Sequence, residues 1–166
     1  MTVTDVRKDP QTLTMTVAAE FDVPIERAWQ LWADPRLLER WWGPPGYPAT
    51  FVEHDLRAGG RTSYYMTGPE GDRSHGWWRV NVAEPPRHIE LEDGFANEDG
   101  EPNPDMPTMR MQVDLSERSG GGTQMAIVTT FPSEEAMEQL LTMGMDEGMR
   151  AALGQIDDLL RADAST

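Results

Sequence analysis

The sequence contains no cysteine, and that absence removes three kinds of chemistry. Without cysteine there is no disulfide framework, no thiolate nucleophile and no cysteine-ligated metal. Cations are also scarce, because 14 Lys and Arg residues stand against 29 Asp and Glu residues and leave a net charge of −15. Such a charge repels phosphate backbones and anionic bilayers, so we expect no nucleic-acid partner.

Long apolar runs are missing as well. No stretch approaches the roughly 20 apolar residues that span a bilayer, so we expect no membrane insertion. The N-terminal segment MTVTDVRKDPQTLT lacks the apolar core of a signal peptide. Together these two observations predict a cytoplasmic protein.

The residues that are present fit one globular domain. The chain has 166 residues, of which 38% are hydrophobic, and that is enough to build a substantial core. It shows no internal repeat and no linker that would divide it. We therefore expect a flexible N-terminus over residues 1–11, one domain over 12–161 and a disordered tail over 162–166.

The first part of that domain predicts one strand followed by two short helices. Residues 13–21 alternate apolar and polar side chains, which is typical of a half-buried strand. Trp29 and Trp32 then fall on one face of a short helix. Asp34 is placed to cap a second helix, which the glycine and proline residues from Gly43 onward end.

The remainder predicts six strands and one long helix. Turn residues separate the strands, and such short connections favour antiparallel pairing. Residues 94–107 are acidic and proline-rich, which indicates a mobile loop. Ser133 is placed to cap an amphipathic helix that runs to Leu160, so the whole chain predicts an α+β fold. The predicted strands cover 49–56, 61–67, 75–83, 87–93, 108–116 and 123–131.

Four segments of the chain resemble, in the same order and at similar spacing, segments of one known family. They are FDVPIERAWQLWADPRLLERWWGPPG, DLRAGGRTSYYM, GWWRVNVAEPPRHIEL and MGMDEGMRAALGQIDDLL. The chain is similar in these segments to the heat-shock-protein-90 ATPase activator homologue-like family, within the START-like (Bet v allergen, polyketide cyclase, SRPBCC) superfamily. The resemblance extends over about 13–160 and departs from the family pattern at Met149, where many members carry tryptophan.

This resemblance implies a helix-grip fold, in which a curved antiparallel sheet wraps around a long C-terminal helix and two short helices follow the first strand. A cavity is expected between the sheet and that helix. The resemblance implies no single activity, because members of the superfamily include lipid and hormone binders, aromatase/cyclases and co-chaperones.

Motifs for catalysis and metal binding are not found. His54, His75 and His88 lie on different predicted strands without the spacing of metal ligands. The serines lack a nucleophile-elbow setting, and the paired glycines lack the rest of a phosphate loop. We therefore predict no catalytic residue, no metal site and no cofactor.

Tryptophan and methionine are abundant, with six and 11 residues. Trp29, Trp32 and Trp41 are expected mostly in the core. Methionine is adaptable and suits a pocket for variable apolar ligands, while Tyr64 would offer a polar group to orient the ligand. The predicted cavity residues are Tyr64, Met66, Trp78, Met109, Met111, Met125, Ile127, Leu141, Met145, Gly148 and Met149.

Two glycines interrupt the apolar stripe of the predicted long helix. Gly144 and Gly148 are four residues apart and would share one helix face, although glycine inside a helix costs about 1 kcal/mol relative to alanine. Either the sheet approaches the helix closely there, or the space belongs to the cavity, or the pair lies on the surface.

Three functions stay open from the sequence. The first is a soluble protein that binds a small apolar or aromatic molecule and catalyses no reaction. The second is a co-chaperone-like module that acts on a heat-shock chaperone ATPase, for which an exposed apolar patch would be the sign. The third is a cyclase- or hydrolase-like enzyme, for which two perturbed ionisable groups in the cavity would be the sign. A chaperone or a second copy of the chain stays open as a protein partner.

Overall fold

The computed structural model describes residues 3–164, apart from the side chains of 162–164. Over this range the chain forms strands and helices in an α+β arrangement, as the sequence predicts. The strands are β1 (Val3–Asp9), β2 (Thr14–Phe21), β3 (Ala49–His54), β4 (Arg61–Thr67), β5 (Arg73–Glu84), β6 (His88–Ala96), β7 (Thr108–Glu117) and β8 (Thr123–Thr130). The helices are α1 (Ile25–Ala33), α2 (Pro35–Trp41), α3 (Glu134–Thr142), α4 (Met145–Gly154) and α5 (Ile156–Ala164).

The strands form one curved antiparallel sheet in the order β1-β2-β8-β7-β6-β5-β4-β3. The helices α1 and α2 carry the chain from β2 to β3 at the far edge. One sheet face is apolar, as the strict alternation of buried and exposed residues along β7 shows. The C-terminal helices cover this face, so the predicted helix-grip fold is confirmed.

The connection between α1 and α2 shows why the chain turns there. The Asp34 carboxylate accepts a hydrogen bond from the Arg36 backbone N–H at 2.9 Å and caps α2, as predicted. Pro35 has no N–H to donate to the Leu31 carbonyl one turn earlier. The Trp41 indole N–H donates to that carbonyl instead, at 2.8 Å, and so closes the end of α1.

The N-terminus differs from the prediction of a flexible segment, because Val3–Asp9 form β1 and pair with β2. A register shift between Val3 and Asp5 breaks the period-two pattern, which hides the strand in the sequence. The Lys8 ammonium also lies 2.8 Å from the Asp146 carboxylate at the start of α4. At the other end, α5 continues into the predicted disordered tail, whose residues 165–166 lie outside the described range.

The predicted continuous helix from Ser133 to Leu160 is wrong in its continuity. Ser133 caps α3, but the chain leaves the helical conformation at Gly144, where φ is +89°. Only glycine adopts this backbone conformation without a steric penalty, which explains its presence there. A second interruption follows at Gln155, so the apolar stripe is carried by three segments, α3, α4 and α5.

The acidic loop is shorter than predicted, because β6 extends to Ala96 and only 97–107 leave the sheet. This segment is largely exposed, and its backbone bonds are local, such as Gly100 N–H to Asn97 C=O at 2.9 Å. We expect a glutamate-specific protease to cleave first after Glu98, because the protease needs a stretch of chain that opens locally.

The exposed Glu70 provides the internal comparison for this experiment. It lies in the tight turn between β4 and β5, which is closed by the Gly68 N–H to Asp72 C=O bond at 2.7 Å. Mass spectrometry of the first fragments checks the order of cleavage. A first cut after Glu70, or inside α3, would show that 97–107 is held as firmly as the sheet.

Candidate ligand cavity

A cavity of about 310 Å³ lies between the apolar face of the sheet and the α3–α4 segment. Strands β4 to β7 form its floor, and the residues that follow α2 form one end. Most of its lining is apolar, which suits an organic ligand more than water. The lining residues are Trp42, Pro44, Tyr64, Met66, Ser74, His75, Gly76, Asp93, Gly94, Phe95, Met109, Leu140, Met143, Gly144, Met145, Gly148, Met149 and Ala152.

Trp42 forms the end of the cavity next to α2. Its ring meets the Trp78 ring edge-to-face at 4.9 Å and the Tyr64 ring edge-to-face at 6.1 Å between centroids. The segment after Trp42 is tied to the C-terminal helices, since the Gln155 side-chain amide donates to the Gly43 carbonyl at 2.8 Å. Two aromatic rings therefore contact the Trp42 ring, and a hydrogen bond from Gln155 fixes the backbone that follows it.

Tyr64 lies on the cavity floor because the facing position on β5 has no side chain. Gly76 pairs with Tyr64 across the strands, and a Cβ at Gly76 would overlap the tyrosine ring. On its other side the ring stacks on Phe51, with centroids 5.0 Å apart and planes at 22°. These neighbours fix the position of the Tyr64 hydroxyl in the cavity.

Asp93 is the carboxylic acid in this cavity. It occupies the inward face of β6, on the same side as Ile89 and Leu91, and is 9% exposed. Burial raises the pKa of Asp93 from 3.8 to about 7, because the charged form loses its hydration. The Trp78 indole and the Tyr64 hydroxyl face the carboxyl group and partly offset this rise in pKa.

The polar groups around Asp93 include two buried indole N–H groups that have no hydrogen-bond acceptor. The indole N–H of Trp78 faces the Asp93 carboxyl and that of Trp42 faces the Tyr64 oxygen, but neither completes a hydrogen bond. Burial, followed by the charge of Asp93, raises the pKa of Tyr64 well above its usual value of 10.0, so this hydroxyl stays protonated. The cavity therefore holds one acid and several neutral donors in an apolar surround.

Comparisons with known proteins agree with this architecture. Residues 22–161 match the family described as Activator of Hsp90 ATPase homolog 1-like protein. The chain belongs to this family. No curated protein matches the chain.

Solved structures of similar proteins extend this result to three dimensions. A crystal structure from Mycobacterium smegmatis is 49% identical, with a TM-score of 0.88, and the match covers 95% of this chain and 96% of that one. A solution NMR structure from Arthrobacter aurescens is 47% identical, with a TM-score of 0.92 and coverage of 97% and 93%. An AHSA1 protein from Silicibacter pomeroyi, 18% identical with a TM-score of 0.73 and coverage of 90% and 99%, shares the fold.

In this member of the family, six of the eleven predicted cavity residues line the cavity and five do not. The six are Tyr64, Met66, Met109, Met145, Gly148 and Met149. Trp78 lies outside the lining and contacts the Trp42 ring edge-to-face, and Leu141 is half-buried in α3, also outside the lining. Met111, Met125 and Ile127 are fully buried in the core and do not line the cavity.

Several lining residues were not predicted, and Asp93 is the most informative of them. Residues 88–92 alternate polar and apolar side chains, and Asp93, two positions after Leu91, falls in phase with Ile89 and Leu91 and so faces inward. This signal was present in the sequence. Trp42 and Phe95 carry no such signal, because one follows a helix end and the other lies in the segment expected to be a loop.

Two of the three histidines, His54 and His88, make hydrogen bonds at separate places in the fold. His54 bridges the Trp32 carbonyl and the Thr62 hydroxyl, and burial lowers its pKa. His88 contacts Glu90 at 2.9 Å and Asp114 at 2.6 Å on the outer face, and its pKa is raised mainly by the hydrogen bond to Glu90. Within residues 3–164, no group of acidic or histidine side chains could hold a metal ion, and no helix is long and apolar enough to cross a membrane.

Proposed function

We propose that this member of the family binds a small apolar or aromatic molecule in the cavity between the sheet and the α3–α4 segment. The observation that carries the proposal is the 310 Å³ of space walled by aromatic rings and methionines. An apolar molecule entering such a space gains about 25 cal/mol for each Å² of surface removed from water. Methionine side chains can adapt their rotamers to ligands of different outline.

Gly148 supports the same proposal from the helix side. It lines the cavity, and a Cβ added there would meet no atom within 4 Å. A close approach of the sheet therefore does not explain this glycine. Its missing side chain leaves space that belongs to the cavity.

An enzyme is the second candidate, and one specific observation favours it. Asp93 and Tyr64 are two ionisable groups with perturbed pKa values that face one cavity, a combination that is common at catalytic sites. They could exchange a proton with a bound molecule. Mass spectrometry of a ligand retained by the protein, before and after incubation, distinguishes binding from turnover.

The co-chaperone alternative lacks such an observation. Among the described residues, the large apolar side chains that are exposed are Tyr47, Val52 and Met143. They belong to the loop before β3, to β3 itself and to the end of α3. Scattered apolar residues of this kind are normal on a protein surface.

Substitution of Gly148 by leucine tests the proposal. The Gly148→Leu side chain should fill the cavity and lower the affinity for the neutral dye N-phenylnaphthylamine by at least about tenfold, because the dye and the side chain compete for one space. The helix should not be weakened, since leucine is about 1 kcal/mol better than glycine in a helix. Dye fluorescence and thermal denaturation measure the two effects.

The matched control is Gly154→Leu. Gly154 lies at the end of the same helix, is exposed, has no atom within 4 Å of an added Cβ and does not line the cavity. This variant should bind the dye as the natural protein does. Equal dye binding by the natural protein and by Gly148→Leu would contradict the proposed site.

A further inference from the structure

We propose that the ligand of this cavity carries one positively charged nitrogen, and that Asp93 is the residue that anchors it. This inference rests on the proposed function and specifies the chemical class of the ligand. Asp93 is more than nine-tenths buried and lines the cavity. Burying a carboxyl group in an apolar wall costs stability, so its presence there needs a compensating partner.

The groups that face Asp93 favour its charged form. The Trp78 indole N–H and the Tyr64 O–H are both donors, and both lower the pKa that burial raises. A carboxylate can accept from both groups, whereas a protonated Asp93 could donate only to the Tyr64 oxygen, since an indole N–H has no acceptor. Burial nevertheless raises the pKa of Asp93 to about 7, so the anion present at pH 8 lacks a countercharge, and a cation is the partner that the described part of this site does not provide.

The charges around the cavity support this assignment. No Lys or Arg is found among the residues that line it in the described part of the chain. The titratable side chains from the facing strands are Tyr64 on β4 and His75 on β5, and the His75 ring packs against Tyr65 at 5.5 Å, on the opposite face of the sheet. β7 contributes Met109, and α3 and α4 contribute only apolar residues and glycine.

The aromatic walls suit an ammonium group for a second reason. The rings of Trp42, Tyr64 and Phe95 line the same cavity as Asp93. The faces of such rings attract cations, and the attraction is stronger where water is excluded. In addition, the chain has a net charge of −15, which raises the local concentration of cations and opposes anions.

Three probes of one shape test the inference. Naphthylmethylamine is a cation at neutral pH, naphthylmethanol is its neutral counterpart, and naphthoic acid is an anion. Isothermal titration at pH 8 should give an affinity for the amine at least about tenfold above that for the alcohol, since a charge-assisted contact contributes more than 1 kcal/mol. The acid should bind more weakly than the alcohol.

Asp93→Asn keeps the shape of the side chain and removes its charge. This variant should lose the preference and bind the amine and the alcohol with equal affinity. Glu92→Gln, a carboxylate on the outer face of the same strand, is the matched control and should keep the preference for the amine. Circular dichroism shows independently whether the Asp93→Asn variant is folded.

The amine should bind more weakly as the pH falls. With a pKa of about 7, Asp93 is about one-tenth ionised at pH 6, so the affinity for the amine should be about tenfold lower at pH 6 than at pH 8. The affinity for the alcohol should not change in this way. The same titration in buffers of different ionisation enthalpy should show one proton released at pH 6.

Two outcomes would overturn the inference. One is an amine affinity no higher than that of the alcohol, including the case in which neither binds, and the other is a preference for the amine that survives in Asp93→Asn. The broader proposal is judged separately, because the neutral dye and Gly148→Leu report on the cavity whatever the charge of the ligand.

Discussion

The Asp93→Asn variant is expected to be more stable than the natural protein at pH 8, by up to about 4 kcal/mol. The pKa of Asp93 is raised from 3.8 in the unfolded chain to about 7 in the folded protein, a difference of about three units at 1.36 kcal/mol each. Between these two values the folded state binds a proton that the unfolded state has released. The free energy of unfolding that Asp93 contributes is therefore fully present below pH 4, falls as the pH rises, and is lost above pH 7.

Urea unfolding of both proteins from pH 4 to pH 9 measures this effect. The difference in unfolding free energy between Asp93→Asn and the natural protein should grow steadily from pH 4 to pH 7 and then stay constant. Comparison of the two proteins at each pH cancels contributions that they share, including the lowered pKa values of Asp9 and Asp146. A difference that does not vary with pH would show that Asp93 is solvated and charged throughout.

Two adjacent tryptophans should respond differently to replacement by phenylalanine. Trp41→Phe is expected to lower the free energy of unfolding by about 1–3 kcal/mol more than Trp42→Phe does. Both rings are buried and meet each other edge-to-face at 5.6 Å. The Trp41 N–H, however, satisfies the Leu31 carbonyl, while the Trp42 N–H completes no hydrogen bond.

The physical reason lies in what each substitution leaves behind. Trp41→Phe leaves the buried Leu31 carbonyl without the donor that replaces the missing N–H of Pro35. Trp42→Phe instead removes a buried donor that has no partner, which offsets part of the lost ring contact. Chemical denaturation of the two variants gives the comparison directly, and equal losses of stability would contradict this account of the α1–α2 junction.

Most elements of the fold could be predicted from the sequence because they follow from local patterns. The alternation in β7 and the Asp34 cap of α2 are signals that need no tertiary information. β1 escaped prediction because a register shift breaks its alternation, and it gains its stability from the open edge of β2. The C-terminal helix is divided at Gly144, where φ is positive. The sequence shows that a glycine is present there but not which backbone conformation it adopts.

The candidate site was only partly accessible for a related reason. Periodicity indicates which side chains face inward, but it does not separate a cavity wall from a filled core. Met109 and Met111 share one face of β7, yet only Met109 meets the open space. That difference depends on which helix segment lies above each strand, and the apolar stripe in the sequence predicts one continuous helix there.

The space at Gly148 has a consequence for how ligand choice can change among proteins of this fold. Because an added Cβ meets nothing within 4 Å, the position has room for a side chain. If the cavity binds a ligand as proposed, a larger side chain at residue 148 would shorten the longest molecule that fits and would leave Asp93 on the opposite wall untouched. On the proposed function, the length and the charge of the ligand would be set at different residues, 148 and 93, and single substitutions would alter each of them independently.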